Sequence, residues 1–366
     1  IRFLLDYGSL RMDNYDPMSH PMKFHSIQFQ RAVAVLMVLA FHIMSTERKY
    51  TDFTWLAPVD AFGLYGVDLF FVISGFIITH TSLNKIGQKG ALKDFLIQRS
   101  LRIYPVYWIF TLVVLGVYLV KPEMVNSASA LSPDIVGSFT LLTQKDRLLL
   151  AVGWTLTFEL YFYAVFSLIY LFGKKSLPAL WVIWSIFICA FNLKAPELTA
   201  NNPLFSVIAS PLVFEFMLGS ILCYWVRTHP PTPKMALPAF VAAIAYALIV
   251  HAELELHALY WSRTLLMAIP CSLLILGSVG LERFLSAKNW AAQTMLLIGN
   301  ASYSIYLSHI LVISAIGRIL SIFLPKDSAP IHVGWLALSF GLAIGFGIAH
   351  YLLVEKPLLS WLRKRK

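Results

Sequence analysis

The sequence predicts an all-α fold, a polytopic bundle of about ten transmembrane helices with both termini in the cytoplasm. The 366 residues are 58% hydrophobic and only 13% charged, with a mean hydropathy of +0.71, which is far from the composition of a soluble globular domain. Apolar runs long enough to cross a bilayer recur along the chain between polar breaks. The Lys and Arg residues are concentrated in alternate breaks, as the loops of a polytopic membrane protein require.

The apolar runs place the individual membrane spans. We predict spans at 29–46, 62–80, 103–120, 154–172, 177–192, 205–226, 236–251, 260–280, 295–317 and 333–353. No soluble module interrupts them, so residues 22–360 are expected to form one membrane domain. Residues 1–21 are polar and irregular, and we expect a leader or extension there, with Met22 as a candidate natural start. Residues 361–366 form a basic cytoplasmic tail.

The charge distribution sets the orientation. Loops that would share a side with the N-terminus carry 20 of the 29 Lys and Arg residues, so the positive-inside rule places both termini in the cytoplasm. Anionic headgroups beside the basic tail account for the net charge of +10, and no nucleic acid partner is expected. The three cysteines, Cys189, Cys223 and Cys271, lie inside predicted spans without ligand spacing, so neither a disulfide nor a metal site is predicted.

The first span carries two ionisable residues, Arg31 and His42. They are eleven residues apart, about three helical turns, so both lie on one face with His42 roughly 16 Å deeper in the bilayer. Ionisable groups at membrane depth are costly and normally face a protein interior or a watery cavity. The pair is therefore a functional candidate, with a snorkelling arginine and a structural histidine as the alternative.

The second span contains the run Gly66-Val67-Asp68-Leu69-Phe70-Phe71-Val72-Ile73-Ser74-Gly75-Phe76. Asp68 and Gly75 are seven residues apart on nearly one face, which Thr79 continues. Small residues allow close approach of a helix or a ligand, and a carboxylate at this depth needs a partner. Helix packing, with Asp68 capping the start of the helix, is an equally good interpretation.

Arg99 and Arg102 lie one helical turn apart just before the third span. Their guanidinium groups can converge on one anion, and their planar forks suit phosphate oxygens. The pair therefore predicts a phosphate site at the membrane surface. Positive-inside anchoring is the alternative interpretation.

The fourth span opens with an aromatic block, in which Glu159 lies roughly 8 Å along the helix from Trp154, with Tyr163 one turn beyond. A carboxylate in this setting could orient a histidine, bind a sugar hydroxyl or act as an acid. For Glu215 in the sixth span, a structural hydrogen bond is the better interpretation.

The last two spans also carry polar residues. Ser302, Tyr306 and His309 share one face of the ninth span and predict a polar stripe turned into the bundle. His350 and Glu355 end the tenth span, where Pro357 is expected to mark the helix exit.

Taken in order, these segments resemble the acyltransferase-3 family of integral membrane acyltransferases, particularly its exopolysaccharide O-acetyltransferase branch. The resemblance covers about residues 22–360, and no single motif carries it alone. One departure is Ser308 before His309, where family members often carry Trp-His, and it leaves acceptor specificity open. The matching segments are Arg31 to His42, 66–76, Arg99-x-x-Arg102, the Trp154 to Tyr163 block with Glu159, Ser302 to His309, and Glu355-Lys356-Pro357.

The resemblance implies an O-acyltransferase that moves an acyl group, commonly acetyl from acetyl-CoA, to a hydroxyl of a surface or exported polysaccharide or its lipid-linked precursor. No permanently bound cofactor is expected, because acyl-CoA is the donor substrate. Membrane lipid is the other partner, and the family resemblance indicates the bacterial inner membrane. Oligomeric state, acceptor identity and the nature of the acyl group stay open.

The same resemblance suggests roles for individual residues. Arg99 and Arg102 would bind the CoA phosphates, and Arg31 would help to set the donor near the inner face. His42 would act as a general base or accept the acyl group itself, with Glu159 or Asp68 as candidates to orient it. The candidates for binding the acceptor are Trp154, Tyr163, Tyr306 and His309.

A transporter or flippase for a lipid-linked sugar is the competing hypothesis, because buried ionisable groups also line transport pathways. It predicts two repeated halves with interrupted helices, and the sequence shows no convincing internal repeat. A catalytically silent assembly or sensing component of a polysaccharide machine is a third possibility.

Overall fold

The computed structural model describes residues 24–50, 53, 55, 60–125, 132–142, 147–253, 260–285, 289–323 and 328–364. Within these ranges the chain is almost entirely helical and contains no strand, which confirms the predicted all-α class. Nine helical stretches there are long and apolar enough to cross a membrane. The remaining predicted span, 236–251, falls in a helix whose described apolar part, Pro233–Ile249, is shorter. The predicted leader at 1–21 lies outside the described residues.

The helices follow the predicted order of spans, and several spans are built from two consecutive pieces. The α-helices are α1 (His25–Tyr50), α2 (Asp60–Ser82), α3 (Ala91–Val120), α4 (Ile135–Thr140), α5 (Trp154–Phe166), α6 (Ile169–Phe172), α7 (Leu177–Lys194), α8 (Pro196–Asn201), α9 (Phe205–Ile208), α10 (Val213–Thr228), α11 (Pro233–Glu253), α12 (Tyr260–Gly280), α13 (Trp290–Asn300), α14 (Ser302–Phe323), α15 (Ala329–His350) and α16 (Lys356–Lys364).

Helices α2 and α10 pack backbone to backbone through two glycines. A Cβ atom built on Gly75 would lie 1.9 Å from the carbonyl oxygen of Phe216, and one on Gly219 would lie 2.0 Å from that of Val72. One turn further, Thr79 Oγ1 donates a hydrogen bond to Ser220 Oγ at 2.6 Å. The small-residue face seen in the sequence is therefore a helix-packing face, as is common between membrane helices.

The chain between α3 and α5 folds back along α3 instead of staying beyond its end. A Cβ atom on Gly153, just before α5, would lie 2.9 Å from the hydroxyl of Tyr107. Tyr107 precedes the end of α3 at Val120 by about 20 Å along the helix axis. Trp154 therefore begins α5 partway along α3 and not beyond its end.

Aromatic side chains of α3 make this return stable. Backbone outside long helices is tolerated at membrane depth only where its polar groups find partners. Three side chains near the middle of α3 donate hydrogen bonds to consecutive carbonyl groups of α4. These bonds join Tyr107 Oη to Ser138 O (2.7 Å), Trp108 Nε1 to Phe139 O (3.0 Å) and Tyr104 Oη to Thr140 O (2.8 Å).

The C-terminal segment differs from the prediction that Pro357 marks the helix exit. The α-helix ends at His350, one π-helical stretch covers Tyr351–Glu355, and Pro357 is the second residue of α16. Proline is tolerated there because the first turn of a helix has N–H groups without helical partners. Trp361 to Lys364, assigned to the tail, continue this last helix.

Candidate active site

A cavity of about 470 Å³ lies between α1, α2, α3, α5, α14 and α16. Four arginines, Arg31, Arg99, Arg102 and Arg363, line it. Glu159 is the one carboxylate among the described residues of its wall. The formal charge of the lining is therefore strongly positive, which suits a ligand with several negative charges.

Arg31 reaches the cavity from α1 and is held by α14. Its Nη2 donates a hydrogen bond to Ser302 Oγ at 2.8 Å, and Ser302 is fully buried. Ser302 begins the polar stripe predicted for the ninth span, so the two sequence features meet here. The serine orients the guanidinium without neutralising it, because a hydroxyl carries no charge.

Arg99 is fixed by a hydroxyl and two aromatic rings. Its Nη2 donates to Thr81 Oγ1 at 2.8 Å. The guanidinium carbon lies 5.4 Å from the ring centre of Phe95 and 5.6 Å from that of Tyr163, both within the range of cation–π attraction. Arg102, one turn along α3, lines the same cavity, so the pair predicted to converge on one anion does face a common space.

Glu159 faces the arginines from α5. Its Oε1 accepts hydrogen bonds from Ser74 Oγ at 3.2 Å and from the hydroxyl of Tyr163. Tyr163 is thereby tied to both Glu159 and Arg99, at the arginine end of the cavity. Trp154, the other residue of this block predicted to bind the acceptor, packs against Phe71 and does not line the cavity.

A second carboxylate, Glu355, lies close to the arginines but does not line the cavity. Glu355, at the end of the π-helical stretch, is only 4% exposed and accepts a hydrogen bond from Ser304 Oγ at 2.6 Å. Because that hydroxyl gives its proton to Glu355, it accepts from Nδ1 of His350 at 2.8 Å. Glu355 is also near enough to Arg31 and Arg102 to attract both electrostatically.

His42 contacts His309 of α14. His42 Nδ1 lies 2.9 Å from the carbonyl oxygen of Val38, and His309 Nδ1 lies 3.2 Å from that of Ile305. A carbonyl oxygen only accepts, so each Nδ1 carries the proton of a neutral ring. His309 Nε2 then accepts from His42 Nδ1–H at 3.2 Å, a proton shared with Val38. This arrangement leaves a lone pair on His42 Nε2.

The histidine pair lies behind the wall of the cavity. Tyr306 lines the cavity, and its ring centre is 5.9 Å from that of His309, which is 4.8 Å from that of His42. Thr155 holds the Tyr306 hydroxyl by a hydrogen bond of 2.8 Å. The order from the cavity is thus Tyr306, His309 and His42, and the groups that accept from His42 Nδ1–H are the Val38 carbonyl and His309, not Glu159 or Asp68.

Asp68 belongs to a different cluster. Both of its oxygens accept hydrogen bonds from Arg263 of α12, at 3.1 to 3.3 Å, and the aspartate side chain is fully buried. Glu215 is buried next to this ion pair. Asp68 does not line the cavity. Sequence reasoning missed Arg263, although an arginine inside a predicted span was a usable signal for a buried ion pair.

Comparison with known proteins decides the family. The family model described as an acyltransferase domain, acyltransferase-3, matches residues 24–352. The chain belongs to the acyltransferase-3 family. It is therefore an integral membrane acyltransferase, and the predicted O-acetyltransferase class is confirmed.

Two relatives show how similar known proteins are to this chain and how much of their length it matches. The exopolysaccharide production protein ExoZ of Rhizobium meliloti (strain 1021) is 30% identical over 316 residues, which cover 83% of this chain and 92% of ExoZ. The peptidoglycan O-acetyltransferase OatA of Listeria monocytogenes serovar 1/2a (strain ATCC BAA-679 / EGD-e) is 24% identical over 339 residues, or 82% of this chain. The chain matches only 51% of the length of OatA. No solved structure matches this chain.

Proposed function

We propose that this acyltransferase takes an acetyl group from acetyl-CoA on the cytoplasmic side of a bacterial inner membrane. It transfers the group to a hydroxyl of a surface or exported polysaccharide, or of its lipid-linked precursor. The observation that carries the proposal is the convergence of four arginines on one cavity whose wall continues, through Tyr306 and His309, to His42. The names of ExoZ and OatA support a carbohydrate acceptor.

The arginine end of the cavity fits the phosphates of a coenzyme A thioester. Arg99 and Arg102 present planar forks from one face of α3, and such forks bind phosphate oxygens in pairs. The hydroxyls of Ser302 and Thr81 hold Arg31 and Arg99 in place and leave their charge available. A neutral donor would leave a net positive charge in the cavity, because Glu159 and Glu355 offset the four arginines only in part.

The thioester end of the donor then points towards Tyr306. To reach His42, the acyl group must pass the rings of Tyr306 and His309, so we include rotation of the Tyr306 side chain as a step of the reaction. The Tyr306 hydroxyl is held by Thr155 and by the carbonyl group of Val152, at 2.8 and 3.1 Å. Both bonds can exchange for bonds to a ligand.

His42 Nε2 carries the lone pair that the chemistry requires. As a general base, it accepts the proton of the sugar hydroxyl while the oxygen attacks the thioester carbonyl carbon. The carbon–sulfur bond breaks, the ester forms, and the proton returns to the coenzyme A thiolate. Alternatively, Nε2 itself attacks the carbonyl carbon, the carbon–sulfur bond breaks and coenzyme A leaves as the thiolate. The sugar hydroxyl then attacks the acyl group, the bond to Nε2 breaks, and the hydroxyl proton goes to the thiolate. In both routes, the Val38 carbonyl oxygen and His309 Nε2 accept from His42 Nδ1–H, which keeps this tautomer and positions the reacting nitrogen.

The central test uses purified protein in lipid nanodiscs, radiolabelled acetyl-CoA and extracted polysaccharide. His42→Ala is expected to lower transfer at least about 100-fold, because a proton acceptor in the transition state is lost. The matched control is His229→Ala, which removes an exposed histidine beyond the end of α10. Normal transfer by folded His42→Ala protein would remove His42 from the mechanism.

Two further measurements separate the open alternatives. Rapid denaturation near neutral pH without acceptor, followed at once by desalting, should leave label on wild-type protein and not on His42→Ala if the acyl group visits the imidazole. Mass spectrometry of surface polysaccharide from cells with and without the protein identifies both the acyl group and its carrier. Label from acetyl-CoA that reaches no glycan would contradict the proposed acceptor class.

A further inference from the structure

The last helix, α16, carries a cavity residue that the sequence assigned to the basic tail. None of its residues is fully buried, while Leu358, Leu359 and Leu362 are half-buried and its charged residues are exposed. This pattern is typical of a helix that lies in the plane of a membrane interface. Arg363 nevertheless lines the cavity, whereas its neighbour Lys364 does not.

The attachment of α16 explains how Arg363 comes to lie there. Glu355, the residue before α16, is buried and bonded to Ser304, close to Arg31 and Arg102. Arg363 follows eight residues later, about 12 Å along the helix. The helix is thus fixed inside the arginine cluster at one end and presents Arg363, which is exposed, at the other.

Arg363 is also held differently from the inner arginines. Hydroxyl groups of Ser302 and Thr81 orient Arg31 and Arg99. In the part of the chain that is described, no such bond is made by Arg363. Its guanidinium is free to meet an anion in the cavity.

We infer that Arg363 binds the ribose 3′-phosphate of the coenzyme A donor and makes α16 a specificity element for nucleotide thioesters. The inference rests on the proposed function. With the thioester at Tyr306 and the diphosphate at Arg99 and Arg102, the next anionic group of the donor is the 3′-phosphate on the adenosine end. A bidentate guanidinium fork suits this terminal phosphate.

Steady-state kinetics with two donors tests the inference. Acetyl-CoA and acetyl-3′-dephospho-CoA are compared in neutral-lipid nanodiscs for wild type, Arg363→Gln and the matched control Lys364→Gln. Arg363→Gln is expected to raise KM for acetyl-CoA about tenfold with unchanged kcat, because a charge-assisted hydrogen bond is lost. With the dephospho donor, wild type and Arg363→Gln should have equal KM. Arg363→Lys should fall between them, because it keeps the charge without the fork.

Other outcomes overturn the inference in distinguishable ways. An unchanged KM for acetyl-CoA, or an equal rise with both donors, rules out a contact with the 3′-phosphate. An Arg363→Gln effect that appears only in nanodiscs with anionic lipid assigns the arginine to headgroup phosphates instead. If Lys364→Gln raises KM as much as Arg363→Gln does, the effect comes from the general positive charge of the surface and not from a contact of Arg363. If wild-type protein uses neither donor, the proposed function itself fails, independently of Arg363.

Discussion

Arg99 and Arg102 are the residues for which the structure makes the sharpest binding prediction. Replacing either by Gln should raise KM for acetyl-CoA about 10- to 100-fold, because a charge-assisted contact to phosphate disappears. The ratio of variant to wild-type KM should be smaller at high salt, because salt already weakens donor binding to the wild type. Lys93→Gln, an exposed change on the same helix, is the matched control for topology. If Lys93→Gln raises KM for acetyl-CoA as much, Arg99 and Arg102 act only as positive charges that orient the protein in the membrane.

His309 tests whether the imidazole of His42 needs a positioned tautomer. His309→Leu removes one of the two acceptors for His42 Nδ1–H and leaves the Val38 carbonyl, so it should lower kcat about 10-fold without changing KM for the donor. His309→Gln supplies an amide oxygen as acceptor and should recover most of that loss. If His309 only packs against its neighbours, kcat should fall equally in the two variants. If His309 contacts the donor, KM for the donor should rise.

The sequence predicted single residues best where one helix carried the whole pattern. Arg31 and His42 were identified because their spacing is fixed by the geometry of α1. Their partners Ser302 and His309 lie more than 260 residues away in the chain, so only the tertiary packing of α1 on α14 could show these contacts. The partner of Asp68 was hidden for the same reason.

The contact between α2 and α10 supplies a prediction about stability. A methyl group at Gly75 would overlap the backbone of α10, which cannot move as a flexible side chain can. Gly75→Ala is therefore expected to destabilise the folded protein by about 1–3 kcal/mol. Gly341→Ala in α15 is the matched control, because nothing lies within 4 Å of its new Cβ.

Thermal unfolding in a single detergent, followed by size-exclusion chromatography, measures both changes. A lower midpoint for Gly75→Ala with an unchanged or slightly higher one for Gly341→Ala is the expected pair of results, because alanine favours a helix over glycine. Equal midpoints for the two variants would mean that α2 and α10 are less tightly packed than the structure shows.

Hydropathy located the helices because burial in lipid imposes a local requirement of about 20 apolar residues. It could not locate the return of the chain along α3, which depends on hydrogen bonds from Tyr104, Tyr107 and Trp108 to α4. It also could not show that α16 turns back to the cavity. The basic residues near the chain end were interpreted as a solvated tail, and no local pattern distinguishes Arg363 from Lys364.

The family assignment and the cavity together favour a membrane enzyme over a transporter. All four cavity arginines belong to segments that the Lys and Arg distribution assigns to the cytoplasmic side, and His42 lies further along α1. In the proposed reaction, donor and acceptor are separated by the thickness of the bundle, so that the acyl group crosses part of the membrane and coenzyme A does not.

This arrangement requires a particular orientation, which labelling of single cysteines can measure. In a background with Cys189, Cys223 and Cys271 replaced by serine, Lys89→Cys precedes α3 and Glu123→Cys follows it. An impermeant thiol reagent applied to intact cells should label Glu123→Cys, while Lys89→Cys should react only after the membrane is opened. Both positions are exposed in the folded protein, so access depends on the side of the membrane alone. The reverse pattern would place the arginines outside, where acetyl-CoA is not available, and the donor site would have to be reassigned.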